Sequence, residues 1–116
     1  NCFPLRSIPD TDNIFQYLAS NPLTQVAIVG GGYIGLEMAE ALLARGLKVT
    51  VIEKADQLLL PMDKEMTQPI VGHLREKGVK VIISAPTPLP KEAFANMFFL
   101  TTCFLVAVLS AMQTPL

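Results

Sequence analysis

Apolar positions change their spacing along this chain in an order that predicts alternating helices and strands. Ile14, Phe15, Leu18 and Ala19 recur on one helical face, after Asp10-Thr11-Asp12 as N-cap candidates and before a break at Asn21-Pro22. Gln25-Val-Ala-Ile-Val29 is a short, mostly apolar run that ends in glycines and reads as a strand buried on both faces. Residues from Tyr33 to Arg45 are good helix formers, with Ile34, Met38, Ala41 and Leu42 on one side and Gly46 at the C′ position. Leu47 to Glu53 is a second strand, β-branched at Val49, Thr50, Val51 and Ile52. Asp63 can cap a further helix through Met66, Ile70 and Leu74, closed by Gly78, with Pro69 predicting a kink or a late start. Val79 to Ser84 reads as a third strand.

Strand, helix, strand, helix, strand at this spacing predicts an α/β fold, a partial Rossmann-like βαβαβ parallel sheet with right-handed crossovers. Three segments follow: a connector and short helix over 1–24, the βαβαβ unit over 25–84, and a tail over 85–116. The tail differs in kind. Pro86, Pro88 and Pro90 form a stiff joint, and no charged residue occurs from Ala93 to Leu116. Three readings of residues 93–112 stand: a membrane anchor, since twenty helical residues span about 30 Å; a buried element beside the edge of Gln25–Val29; or a sequence foreign to the fold.

Composition narrows the function classes. In 116 residues there is room for one small domain, and the net charge of -1 with scattered Lys and Arg gives no footprint for nucleic acid. Cys2 and Cys103 show neither disulfide nor zinc spacing, which favours a reducing, cytoplasmic setting. The opening Asn-Cys-Phe-Pro has no initiator Met and no secretory signal, so the chain is expected to begin mid-protein.

Chemistry concentrates at Gly30-Gly31-Gly32-Tyr33-Ile34-Gly35. A pyrophosphate needs backbone N–H groups at a helix N-terminus and no Cβ where ligand or strand comes close. Gly30, Gly32 and Gly35 meet those needs in order, as tight turn, phosphate approach and helix-strand packing. An ordinary tight turn is the competing explanation. It is disfavoured by the context: a strand before, a helix after, and Glu53 at the end of the next strand, where a carboxylate accepts from ribose hydroxyls and repels a 2′-phosphate. NAD is thus expected over NADP. Glu53 could also be a solvated strand end, Glu37 an acid favoured by the helix dipole alone, and Tyr33 a packing aromatic. His73 lacks metal partners and reads as a surface residue, while Met38, Met62 and Met66 read as core filler.

Over Val26 to Glu37 the sequence resembles the NAD-binding domain of FAD-dependent pyridine nucleotide-disulfide oxidoreductases. Phe3 to Asp12 is similar to the connector, and Met62 to Ile70 to the second helix, of the subgroup with coenzyme A disulfide reductases, NADH oxidases and NADH peroxidases. The resemblance implies hydride transfer from NADH to FAD in the complete enzyme, Tyr33 over the flavin, and Glu37 near the nicotinamide amide. It also implies partner flavin and interface domains. No second glycine fingerprint and no redox-active cysteine motif occur here, so a cofactor cradle without turnover of its own is expected. Two alternatives stay open: a stand-alone nucleotide sensor, and a cradle for the ADP half of FAD.

Overall fold

The computed structural model describes residues 2–85 and 98–101. Its elements are β1 (Cys2–Pro4), α1 (Ile8–Ser20), β2 (Gln25–Val29), α2 (Tyr33–Ala44), β3 (Lys48–Ile52), α3 (Lys64–Glu76), β4 (Lys80–Ile82) and β5 (Phe98–Thr101). All pairings are parallel, and the sheet runs β1-β5-β2-β3-β4. The expected βαβαβ unit is β2 to β4. Two strands are additions to it. β1 lies inside the connector, and β5 lies inside the apolar tail.

β5 sits between β1 and β2, with Phe98 opposite Val26 and Thr101 opposite Val29. Residues 98–101 therefore take the second of the three readings, an element against the Gln25–Val29 edge. The remainder of the tail, including Cys103 and most of the proposed membrane span, lies outside the described residues. Among the described residues no helix is long and apolar enough to cross a membrane.

Helix boundaries follow their caps. Ser7 is the N-cap of α1, not the Asp10-Thr11-Asp12 run: its Oγ accepts the Asp10 N–H at 3.4 Å, and Asp10 Oδ2 accepts the Arg6 N–H at 2.9 Å. Ser-Ile-Pro-Asp is thus close to a capping box, with Pro9 inside the first turn where its missing N–H is harmless. Helices α2 and α3 end alike. Gly46 (φ 83°) and Gly78 (φ 90°) donate to the carbonyls of Leu43 and Arg75, and the next residues, Leu47 and Val79, donate back to Leu42 and Leu74. These are Schellman closures, and the left-handed backbone they need is why glycine stands there. Asp63 is the N-cap of α3 but makes no side-chain cap bond, and α3 begins at Lys64 with Pro69 inside it, so the start is not delayed.

The core lies between the three helices and one sheet face. Val26, Ile28, Val49, Val51 and Val81 meet Ile14 of α1 and Met38, Ala39 and Leu42 of α2, with Val71 and Leu74 of α3 against the same cluster. Met38 is core as expected. Met66 is 59% exposed and is not core filler. On α1, Ala19 is exposed while Tyr17 packs at 4.9 Å from the Phe3 ring; on α2 the buried stripe is Gly35, Met38, Ala39 and Leu42, and Ile34 and Ala41 stand beside it, exposed. Ile14, Met38 and Leu42 are buried as expected and Leu18 packs against the core, while Ala19, Ile34 and Ala41 fall outside it, because strand side chains decide which flank of a helix they meet.

Candidate functional site

The register of the sheet places five strand ends in one row. Pro4 pairs with Thr101, Thr101 with Val29, Val29 with Ile52, and Ile52 with Ile82. Whatever follows these residues emerges on one edge: Leu5-Arg6-Ser7 from β1, the glycines from β2, Glu53 from β3. β2 leads rightward to β3 in the order given, while β5 fills the place on its other side. In open α/β sheets the crevice at such a reversal, outside the carboxyl ends, is where ligands sit.

Each glycine of the turn has a distinct physical task. Gly30 adopts φ 118°, and its N–H continues the ladder to the Ile52 carbonyl at 2.9 Å. Gly35 is buried, and a Cβ there would collide with the Gly30 carbonyl oxygen. At Gly32, the N-cap of α2, a Cβ would meet nothing within 4 Å. The N-terminus of α2 has no side-chain cap, so its first N–H groups lack the partner a capping residue would supply. Open space in front of such N–H groups, on the positive end of a helix dipole, suits an anion.

Gly31 is held from both sides by the β3–α3 loop. Its N–H donates to Glu53 Oε2 at 2.7 Å, and its carbonyl accepts from Leu59 N–H at 2.9 Å. A Cβ at Gly31 would run into the Leu58 side chain and come within 3.2 Å of Glu53 Oε2. Leu59 has φ 49°, a left-handed conformation that a Leu adopts at a cost, and it is buried. Glu53 Oε1 accepts from Ala55 N–H at 2.9 Å. The carboxylate is thereby oriented, half-buried, at the same edge as the glycines.

The remaining expected site residues are exposed. Tyr33 is 64% exposed and its hydroxyl donates to Met62 Sδ at 3.7 Å, so both stand above the turn and Met62 is no core filler. Ile34 and Glu37 line a cleft of about 530 Å³ with the β1–α1 turn and the first turn of α1. His73 belongs elsewhere, in a groove of about 440 Å³ between α2 and α3, and no metal-holding cluster occurs among the described residues. Sequence reasoning passed over Leu58, Leu59 and Arg6. The Leu58-Leu59-Leu60 run in a loop was a usable signal, since apolar loop residues need a surface to cover.

Comparison with known proteins agrees with this fold. Residues 25–87 match the family described as pyridine nucleotide-disulphide oxidoreductase. The coenzyme A disulfide reductase of Staphylococcus aureus (strain Newman) is 40% identical over 77 residues, which is 66% of this chain and 18% of that protein. The NADH oxidase of Methanocaldococcus jannaschii is 42% identical over 85 residues, 72% of this chain and 19% of that protein. Among solved structures, reduced CoADR-RHD of Bacillus anthracis superposes with a TM-score of 0.78 at 31% identity, covering 88% of this chain and 20% of its own. This chain thus spans about a fifth of the relatives it matches.

Proposed function

Because this chain belongs to the pyridine nucleotide-disulphide oxidoreductase family, we propose that residues 25–84 bind NADH as the nucleotide segment of an FAD-dependent oxidoreductase. Gly30, Gly31, Gly32, Tyr33, Ile34 and Gly35 form the pyrophosphate cradle, Glu53 takes the adenosine ribose, and Glu37 lies toward the nicotinamide. When bound, NADH supplies a hydride. The chain's own residues bind and orient it. FAD and the interface domain belong to other parts of the complete enzyme, and the relatives' names support a disulfide or oxygen as acceptor. The cysteine spacing supports a cytoplasmic setting.

One observation carries this reading: the contrast between Gly35, where a Cβ would strike the neighbouring backbone, and Gly32, where it would meet nothing. A fold explains the first glycine. A guest would explain the second, since an anion in front of the N-cap place would take the N–H groups that a Ser or Asp side chain would otherwise cap. Gly32→Val consequently separates folding from binding. Titrating NADH fluorescence should show binding by the wild type and a loss of at least about tenfold in the variant, with matching circular dichroism and melting curves. Equal binding by both would overturn the proposal, and yellow flavin retained by the purified chain would reassign the cradle to FAD.

A further inference from the structure

Met62 is held on both sides by its own loop. Its N–H donates to the Leu59 carbonyl at 2.8 Å, and its carbonyl accepts from Gln57 Nε2 at 2.7 Å. That loop is fastened in turn to the glycine turn, because Leu59 N–H donates to the Gly31 carbonyl at 2.9 Å and the Leu58 side chain lies against Gly31. The backbone at Met62 is therefore fixed relative to the cradle. From there its half-buried side chain reaches Tyr33, whose hydroxyl donates to Sδ at 3.7 Å. This tie joins residues 29 positions apart.

Tyr33 needs such a tie. It opens α2 directly after Gly32, beside the space where a Gly32 Cβ would meet nothing, and it is 64% exposed. An aromatic side chain in that setting has several staggered positions and little packing to choose among them. A thioether is a weak acceptor, so the bond is modest. Yet a modest bond is enough to favour one of a few positions of comparable energy, and a ring already ordered has less freedom to lose when a ligand comes to lie beside it. We propose that Met62 is a positioning residue, whose Sδ fixes the Tyr33 ring at the rim of the phosphate cradle before the dinucleotide arrives. The inference rests on the nucleotide reading above and deepens it: Gly32 leaves room for the anion, and Met62 sets the wall beside that room.

A double-mutant cycle on the full chain, read by calorimetric titration with NADH, tests the assignment. Met62→Leu keeps the bulk and removes the acceptor, while Tyr33→Phe keeps the ring and removes the donor. Each should weaken NADH about two- to fivefold. The double variant should lose no more than either alone, because both changes delete the same bond. Met62→Gln offers Oε1 as an acceptor on a side chain of similar length, so it should bind more tightly than Met62→Leu when Tyr33 is present and no more tightly in the Tyr33→Phe background. A methionine that merely filled the loop would show no such dependence on the hydroxyl, and the Gln comparison still decides if Met62→Leu disturbs folding. Additive losses, unweakened binding in both single variants, or an effect of Met62→Gln that persists without the hydroxyl would overturn the role of Met62 while the cradle stands. If the wild type does not bind NADH, or if Gly32→Val binds it equally, the nucleotide reading fails and this inference with it.

Discussion

Gly31 and Glu53 are joined across 22 residues by a 2.7 Å hydrogen bond from a backbone N–H to Oε2. With Ala55 N–H on the other oxygen at 2.9 Å, the carboxylate is fixed by two main-chain donors that belong to its own chain. A carboxylate has about four acceptor sites. Each oxygen therefore keeps capacity for a ribose hydroxyl, and the residue proposed to select the nucleotide also anchors the loop that would cradle it.

Substituting Glu53 should thus move two quantities. Glu53→Gln turns an amide NH2 toward one of the backbone donors, and stability should fall by about 1–3 kcal/mol. Loss of the charge should raise NADPH affinity relative to NADH by roughly ten- to a hundredfold. Urea denaturation reads the first and paired fluorescence titrations the second. A folded variant with an unchanged ratio would leave Glu53 as a loop anchor alone.

Gly35 should behave as the opposite of Gly32. Its Cβ would meet the Gly30 carbonyl, which is backbone and can yield only by moving the turn. Gly35→Val is expected to destabilise by about 1–3 kcal/mol, as overpacking does. A urea midpoint equal to that of the wild type would contradict this.

The start of α1 should be sensitive to acid. The Arg6 N–H, and then the Ser7 hydroxyl, hold the Asp10 carboxyl below its ordinary value despite some desolvation. A carboxyl lowered on folding contributes stability that is full above the unfolded-state value and disappears as pH falls through the folded one. Protection of α1 amides against hydrogen exchange should therefore decline in that acidic window, below about pH 4. In Asp10→Asn the decline should flatten. Asp10 lies half-buried at the surface of the helix start, and the effect belongs there and not to global unfolding.

Removing residues 86–116 should cost stability, because β5 separates β1 from β2. Without it β1 loses the partner that pairs Cys2 to Pro4, and β2 becomes an exposed edge. We expect the 1–85 chain to melt at least roughly 4 °C lower, the shift that about 1 kcal/mol makes in a domain of this size. Limited proteolysis should cut the released segment ahead of α1. An unaltered melting curve would show that β5 adds nothing to the sheet.

What the sequence determined alone was local. The glycine turn, the strand ending at Val29 and the Schellman glycines at 46 and 78 are legible because each reports a backbone requirement met within a few residues. β1 and β5 were not legible. Runs of three and four residues carry no period: β1 is a strand because β5, nearly a hundred positions distant, lies beside it, and β5 because it lies between β1 and β2. The tertiary structure also decided which flank of α2 is buried. Sheet packing took Gly35, Met38, Ala39 and Leu42, and that choice left Ile34 and Ala41 to line a cleft with the connector. Arg6 and Glu37 come to one cavity for the same reason: parallel register aligns the ends of β1 and β2 on one edge, a relationship between distant segments that no local pattern can encode.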